Sequence, residues 1–357
     1  MFILKLLFRN MFRHKLRSTL TVAGIAIAIL SFGLLRTVVT AWYAGVNASS
    51  ANRLITRNSI SLVFSLPISY RERIRQIDGV KSVSWANWFG GVYITEKNFF
   101  PNFAIDPPSY LPIYPEFVLP DQQKESFFKD RKGCVAGRKL AERHGWKIGD
   151  SITLKGTIFP GNWEFNLRGI YSGKEKSTDE GQFFFHWNYL NESLRKTNPR
   201  RADGVGIFLV EVDNPASSAE VAQAVDARFR NSLAETLTET EKAFQLSFVS
   251  MTEAIVVAIK IVSYVVILII MAVAANTMAM TARERMGEYA ILKALGFGWW
   301  HLAGLVFGES LLIAATGCGM GILLTFPVAK AFAVRLDQFF PVFIVRSEER
   351  RVGKECR

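Results

Sequence analysis

Histidine, cysteine and acidic side chains are the residues of this chain that could bind a metal ion or carry acid–base chemistry. His144 and His186 are isolated, and neither belongs to a His-x-x-x-His or Glu-x-x-His pair, spacings with which one helix can hold a metal. Cys134, Cys318 and Cys356 are scattered, which gives no disulfide framework and no cysteine-based zinc site. The sequence therefore predicts no catalytic residue, no metal ligand and no cofactor bound by this chain.

Two further groups could contribute chemistry before residue 250. Asp179 and Glu180 lie in a turn rich in Gly, Ser and Lys, and we interpret them as a solvated loop. Aromatic side chains of this region could line a surface for a lipophilic ligand, although aromatic residues on strands pack more often in a core. Both interpretations stay open for Trp85, Trp88, Phe89, Trp163, Phe183, Phe184, Phe185 and Trp187.

The strongest signal for function is a short segment, residues 281–296, between two apolar runs. Thr281 and Glu284 match a capping box, and Gly296 stands where a helix would end. The segment mixes charged with apolar residues, which suits docking into a groove on a soluble partner; the alternative is a loop helix that pairs its own charges at a membrane surface. The mixed surface consists of Arg283, Glu284, Arg285, Met286, Glu288, Tyr289, Ile291 and Leu292.

Three apolar runs position this segment, and each is long enough to cross a hydrocarbon core of about 30 Å. Five cations and no acid directly precede the first run, which places that end in the cytoplasm by the positive-inside rule. The predicted order is a basic amphipathic helix (1–17), transmembrane helix 1 (18–44), an extracytoplasmic domain (45–250), transmembrane helix 2 (251–280), a cytoplasmic coupling helix (281–301), transmembrane helix 3 (302–334) and the start of an outer loop (335–346).

The basic excess, with a net charge of +12, could suggest nucleic-acid binding. No interleaving of aromatic and basic residues accompanies it, so we expect membrane lipid and no nucleic acid as partner. Glycines in the third span form two small-xxx-small motifs, which predict close helix contacts at Gly304, Gly308, Gly317 and Gly321. Gly24 and Ala28 form a similar motif in the first span.

The extracytoplasmic domain has an α+β pattern. We predict strands over 80–88, 151–154, 163–171 and 205–212, and helices over 69–77, 140–144 and 217–231. Residues 99–120 are rich in Pro and aromatics and are predicted to form an ordered loop without regular secondary structure. From about residue 236 the chain is predicted to be helical.

Several of these segments resemble one family of permeases. Residues 9–25, the coupling segment 284–296, and Gly308-Glu309-Ser310 resemble the MacB, LolC/LolE and FtsX-like ABC transporter permeases, and 137–171 and 238–248 resemble their periplasmic core. The resemblance implies a MacB-like periplasmic core domain, an FtsX-like transmembrane region, and an ABC ATPase as partner, with ATP and Mg on that ATPase. The residues then implied in ATPase coupling are Arg283, Glu284, Arg285, Glu288, Tyr289, Ile291, Leu292, Lys293 and Gly296.

The resemblance also implies a second permease copy or paralogue as a dimer partner, a periplasmic adaptor, and location in the bacterial inner membrane. Because the sequence contains no G-x-x-x-x-G-K-[ST] phosphate loop, we expect a separate ATPase subunit. The implied function is mechanotransmission that exports or extracts an amphiphile, peptide or lipoprotein. The alternative is an FtsX-like signalling subunit that regulates an extracytoplasmic hydrolase or sensor.

The end of the chain departs from this family, which has a fourth span. No fourth apolar run follows residue 334, and residues 347–357 resemble a non-native tail. We therefore expect the native chain to be C-terminally truncated here.

Overall fold

A computed structural model describes residues 15–43, 46, 49–175, 177–251 and 253–336. Most of the predicted amphipathic helix 1–17, most of the predicted outer loop 335–346 and the predicted tail 347–357 lie outside these residues. The chain divides into a membrane unit, made of helices before residue 43 and after residue 251, and an outer domain between them.

The outer domain begins with strand β1 and ends with helix α8. Its strands are β1 (Arg53–Asn58), β2 (Leu66–Pro67), β3 (Val80–Trp88), β4 (Gly91–Val92), β5 (Asn102–Ile105), β6 (Phe117–Val118), β7 (Gly133–Gly137), β8 (Ser151–Gly156), β9 (Gly161–Gly173), β10 (Phe183–His186), β11 (Gly204–Val205), β12 (Ile207–Val212) and β13 (Thr236–Thr240). The helices of the whole chain are α1 (Lys15–Trp42), α2 (Tyr70–Arg75), α3 (Pro107–Ile113), α4 (Asp121–Lys129), α5 (Arg138–His144), α6 (Trp187–Thr197), α7 (Ser218–Phe229), α8 (Glu241–Met251), α9 (Glu253–Glu284), α10 (Met286–Ala294) and α11 (Trp299–Leu336).

A mixed sheet organises the outer domain, and its strand order is β13-β1-β12-β3-β5-β10-β7-β9-β8-β4. The β5–β10 and β7–β9 pairs are parallel, and the other pairs along this path are antiparallel. The central strand β10 is buried on both faces, with Phe183 and Phe185 in one core and Phe184 in the other. This confirms the predicted α+β class and shows that most of the aromatic residues named above are core residues.

Helices cover both faces of this sheet. The larger core includes Ile74 of α2, Leu140 of α5, Leu190 of α6 and Val225 of α7. The smaller core includes Ile113 of α3 together with a buried phenylalanine of α4, and α8 packs beside it. Trp88 differs from the other aromatic residues, since 41% of it is exposed.

Two segments of the outer domain were wrongly predicted. Residues 99–120 are ordered as β5, α3 and β6 rather than as an irregular loop, because Pro107 and its neighbour occupy the first helical turn, where no backbone N–H partner is needed. Residues 236–240 form strand β13 rather than a helix. Thr236 and Thr238 point inward from this strand and both bind Asp226, while the strand pairs with β1.

The membrane unit contains three helices that are long and apolar enough to span a membrane, among the residues described: Ser18–Thr40, Glu253–Glu284 and Trp299–Phe332. Helix α1 packs against both α9 and α11, whereas α9 and α11 contact each other much less. The segment of interest, α10, lies between the second and third of these helices.

Candidate functional site

Helix α10 starts later than the capping-box motif indicates. Helix α9 continues through Thr281 to Glu284, and the break comes at Arg285, which has φ −101° and ψ 10°. The capping-box prediction is therefore wrong: no glycine or proline interrupts 253–284, so the N–H groups near Thr281 stay within a continuing helix and need no cap.

The end of α10 follows the predicted pattern. Gly296 has φ +91°, the left-handed conformation that glycine adopts without strain. Its N–H donates to the carbonyl of Lys293, and the N–H of Phe297 donates to the carbonyl of Leu292. This pair of bonds is a Schellman motif, so α10 is a short helix with a defined end.

One face of α10 is turned inward. Arg285, Glu288, Tyr289 and Leu292 follow the i, i+3, i+4, i+7 spacing of a single helix face, and all four are partly buried. Arg285 Nε donates to Glu288 Oε2 over 3.0 Å, and Arg285 Nη1 donates to Glu309 Oε2 of α11 over 2.5 Å. Burial alone would lower the pKa of Arg285, but Glu309 and Glu288 raise it overall, so this side chain stays charged.

The rest of the α10 surface is accessible. Arg283 and Glu284 at the end of α9, together with Lys293 and Gly296, are exposed, and so are the apolar side chains of Met286 (67%), Ile291 (63%) and Leu295 (71%). The predicted coupling residues therefore fall into two groups, an inner group in which Arg285 contacts α11 and an outer group that is exposed. An apolar surface with charges around it is a common composition for a docking interface.

Exposed aromatic residues mark the junction between α10 and α11. Phe297, Trp299 and Trp300 are all exposed, and the two tryptophan rings lie 3.8 Å apart. Tryptophan is enriched where spans meet the lipid headgroups, so this position fits the end of a membrane-spanning helix.

The glycines of α11 differ in their surroundings. A Cβ added at Gly317 would lie 2.9 Å from the Ile25 side chain, and one at Gly321 would lie 2.9 Å from the Ala26 carbonyl oxygen. At Gly304 an added Cβ would meet no described atom within 4 Å. Gly308 is partly buried in the same helix. The close approach of α11 to α1 therefore centres on the second motif.

The glycine of α1 that lies closely against α11 is Gly33, not Gly24. A Cβ at Gly33 would lie 2.9 Å from the Thr325 side chain, whereas one at Gly24 would meet no described atom within 4 Å. Among the described residues, Gly24 does not make the predicted helix contact.

The isolated histidines of the outer domain have structural contacts. His186 is buried, and its Nε2 lies 2.6 Å from the Phe127 carbonyl; a carbonyl can only accept, so Nε2 carries the proton. Burial lowers its pKa. His144 stacks on Trp146. Among the described residues no group of three His, Cys, Asp or Glu side chains is arranged to hold a metal.

The solvated-loop prediction for Asp179 and Glu180 is wrong for Glu180. Glu180 is buried, pairs with Arg138 over 3.0 Å and accepts the Gly173 N–H over 2.8 Å. Its carboxylate satisfies the backbone of the turn, which explains why a charged residue is buried there. Asp179 accepts the Gly181 N–H within the same turn.

Sequence reasoning assigned no role to two residues that the structure brings to notice. Glu309 is buried inside a candidate span. Ionisable residues inside spans usually have a functional role, so the single acid in the 302–334 run was the signal that could have identified it. Arg53 is buried in the outer domain against Glu116 and Glu241. No spacing in the sequence links these three residues.

Two families match the chain. The FtsX-like permease C-terminal family matches residues 260–345, and the MacB-like periplasmic core domain family matches residues 18–228. The second match alone spans more than half of the chain.

Individual proteins are similar at lower identity. An uncharacterized ABC transporter permease of Methanocaldococcus jannaschii is 23% identical over 342 residues, which cover 90% of this chain and 82% of that protein. An uncharacterized ABC transporter permease protein of Mycobacterium tuberculosis is 23% identical over 209 residues, covering 56% of this chain but only 22% of that relative's length. The extracellular domain of the noncanonic ABC-type transporter YknZ from Gram-positive bacteria superposes with a TM-score of 0.39 at 12% identity, covering 53% of this chain and 100% of that domain.

Proposed function

Because this chain belongs to the MacB/FtsX-like family of ABC transporter permeases, we propose that it couples ATP hydrolysis by a separate ATPase subunit to movement of its outer domain. In this proposal the movement drives export or extraction of an amphiphile, peptide or lipoprotein at the bacterial inner membrane. Two permease chains, either copies or paralogues, act together, and a periplasmic adaptor is a further partner. ATP and Mg bind the ATPase.

The observation that carries this proposal is the two-faced structure of α10. Its inner face is fixed to α11 through Arg285, so a force applied to α10 reaches α11. The rest of its surface leaves Met286, Ile291 and Leu295 exposed on a helix that has a defined end. A soluble partner that covers these side chains would bury apolar surface, and its movement would be passed through α10 to α11.

Co-purification of the partner ATPase with the full-length permease tests this. We expect Ile291→Glu, which puts a charge on the exposed surface of α10, to reduce the retained ATPase by at least about tenfold, the equivalent of 1.4 kcal/mol of binding. Glu284→Arg reverses a charge at the exposed end of α9 and should weaken retention less.

The matched control is Ile148→Glu, because Ile148 is an exposed isoleucine of the outer domain. It should retain ATPase as the unaltered chain does. Equal retention by Ile291→Glu would remove α10 as the docking element. A failure of even the unaltered chain to retain ATPase would count against the coupling proposal itself.

A further inference from the structure

Glu309 lies at an unusual position for a carboxylate. It is ten residues beyond the start of α11 at Trp299, about 15 Å along the helix, and it is buried within a candidate span. A carboxylate at such a depth is costly unless a cation or hydrogen-bond donors compensate it. Arg285 provides that compensation from the junction of α9 and α10.

The Arg285–Glu309 pair joins elements that otherwise touch little. Helices α9 and α11 both pack on α1 but contact each other sparsely. The side chains of the pair are mostly withdrawn from solvent, with 15% of Arg285 and 10% of Glu309 exposed. An ion pair that is this shielded is only weakly screened by salt. It is therefore a direct link between the start of α10 and the third span.

The packing around Glu309 is looser than the packing farther along α11. A small cavity of about 20 Å³ borders Glu309, and Thr21 of α1, Thr277 of α9 and Ser310 of α11 are among the residues that line it. At Gly317 and Gly321, by contrast, α11 lies directly against α1 without room for a Cβ. Helix α11 is thus held tightly to α1 at one level and held by an ion pair beside a cavity at another.

We propose that the Arg285–Glu309 pair is the latch that makes α10 and α11 move as one body, so that displacement of α10 is passed to α11 and, through the Gly317–Gly321 contact, to α1. This proposal rests on the proposed function, because it takes displacement of α10 to follow ATP binding by the partner. Arg285 and Glu309 are positioning residues: neither needs to contact the ATPase. Helix α1 leads along the chain to the outer domain.

Glu288 provides a matched control for this proposal. It binds the same guanidinium as Glu309, over 3.0 Å, but 43% of its side chain is exposed and it belongs to α10 itself. Glu288→Gln therefore removes a carboxylate from Arg285 without unlinking α10 from α11. Glu309→Gln makes the identical chemical change on the other side of the guanidinium and removes the link.

Spin-label distances in the ATPase–permease complex in nanodiscs test the latch. One label pair replaces exposed Lys293 of α10 and Leu323 of α11, and a second pair replaces Lys293 and exposed Lys242 of the outer domain; because Lys293 belongs to the predicted coupling residues, only labelled complexes that retain the ATPase as the unlabelled chain does are measured. Cys318→Ala and Cys356→Ser remove competing thiols, and Cys134 stays because it is buried. Each sample is measured with and without ATP and vanadate.

In the unaltered latch we expect nucleotide to shift the Lys293–Lys242 distance while the Lys293–Leu323 distance stays the same. In Glu309→Gln the first shift should fall at least about threefold, and the Lys293–Leu323 distance should now change by at least half a helical turn, about 3 Å. Glu288→Gln should leave the Lys293–Leu323 distance constant, because Glu309 still binds Arg285. The double variant Arg285→Glu/Glu309→Arg, which restores a reversed pair, should recover part of the Lys293–Lys242 shift.

The outcomes separate the two proposals. Loss of ATPase binding, or no nucleotide-driven Lys293–Lys242 shift in the unaltered complex, would count against the proposed function. A normal shift in Glu309→Gln with a constant Lys293–Leu323 distance would overturn the latch alone. Should Glu309→Gln fail to accumulate, Glu309→Asp carries the same test, because it withdraws the carboxylate from Arg285 by one methylene. A reduced Lys293–Lys242 shift in Glu309→Asp, partly recovered in the reversed pair, would support the latch, and a normal shift in Glu309→Asp with a constant Lys293–Leu323 distance would overturn it.

Discussion

The two units of this protein each contain a buried arginine that binds two glutamates, and the two sites differ in what they join. Arg53 of the outer domain binds Glu116 and Glu241, whereas Arg285 of the membrane unit binds Glu288 and Glu309. All partners of Arg53 belong to one compact domain, whose sheet has a core on each face. The partners of Arg285 lie on two helices that are connected mainly through a third.

The guanidinium of Arg53 binds two carboxylates and a carbonyl and lies over an aromatic ring. It donates to Glu241 Oε2 over 2.8 Å, to both carboxylate oxygens of Glu116 and to the Ile113 carbonyl, and it lies 4.3 Å from the centre of the Tyr114 ring. Tyr114 in turn donates to Glu241 Oε1 over 3.0 Å. Burial alone would lower the pKa of Arg53, but Glu116 and Glu241 raise it overall. Such a network fixes one geometry.

The comparison teaches that one kind of ion pair can fix a structure or transmit a movement, depending on the packing around it. The Arg53 network ties the start of β1 and the start of α8 to the end of α3, and the sheet and both cores hold these elements in any case. The Arg285–Glu309 pair lies beside a cavity and links weakly packed helices. We therefore expect changes at Arg53 to affect stability, and changes at the latch to affect coupling first.

The largest expected effect is that of Arg53→Ala. This substitution leaves the buried carboxylate of Glu241 and the partly buried one of Glu116 without their cation, and loss of one partner of a buried pair typically costs about 3–5 kcal/mol. The unfolding midpoint of the outer domain, followed by the fluorescence of its buried tryptophans in the full-length protein, should fall sharply. Arg131→Ala removes one partner of the exposed Arg131–Glu192 pair and should change the midpoint little, because exposed pairs contribute about 0–1 kcal/mol.

If Arg53→Ala and Arg131→Ala shifted the midpoint equally, the distinction between a fixed network and a surface pair would be lost. A loss of nucleotide-driven movement in Arg53→Ala at unchanged stability would instead reverse the roles assigned to the two arginines.

A second prediction concerns the fixed contact inside the membrane unit. Gly321→Ala places a Cβ 2.9 Å from the backbone oxygen of Ala26, which cannot move aside as a flexible side chain could. Separating α1 from α11 should cost about 2 kcal/mol, the usual scale of overpacking, and should lower the temperature at which the detergent-solubilised protein loses its monodisperse peak.

Gly319→Ala is the control, since it lies on the same helix and its added Cβ would meet no described atom within 4 Å. It should leave this temperature unchanged or raise it, because alanine favours the helix over glycine. Equal loss in Gly319→Ala and Gly321→Ala would mean that the α1–α11 contact is not the fixed part of the unit.

Local periodicity was enough to predict much of the fold. The α+β class follows from alternation in segments such as β8 and β9, and the Gly296 helix end follows from the backbone freedom of glycine. The predictions failed where tertiary partners decide. Residues 236–240 become a strand because β1 and Asp226 bind them, and Glu180 is buried because a distant arginine and a turn N–H need its carboxylate.

The candidate site was predictable as a segment but not as two faces. The mixture of charged and apolar residues in 283–296 indicated docking, yet the division into an inner Arg285 face and an outer Ile291 face depends on where α9 ends, and no breaker residue marks that point. Glu309 could be noticed as an acid in an apolar run. Its partner could not be identified, because Arg283 and Arg285 are equally plausible from sequence spacing.

The smallest expected effect is a dependence of the outer domain's stability on pH, which arises at the Arg53 site. Burial, followed by the nearby Tyr110 and the charge of Glu241, raises the pKa of Tyr114 well above its usual value. An unfolded tyrosine loses its proton above about pH 10, while the folded one keeps it. Stability from this residue is therefore complete below about pH 10 and falls as pH rises further toward the folded pKa, by up to about 1.4 kcal/mol per pH unit.

Tyr114→Phe should flatten that alkaline slope, measured as the unfolding midpoint of the outer domain between pH 9 and 11. It should also cost about 1.5 kcal/mol at pH 7, because the hydrogen bond to Glu241 is lost. Tyr110→Phe is the control: burial also raises the pKa of Tyr110, so the slope should flatten again, but the cost at pH 7 should be smaller because no bond to Glu241 is removed. An unchanged slope in both variants would show that these tyrosines are accessible to hydroxide in the folded state, and the Arg53 network would then be as open to rearrangement as the latch at Arg285.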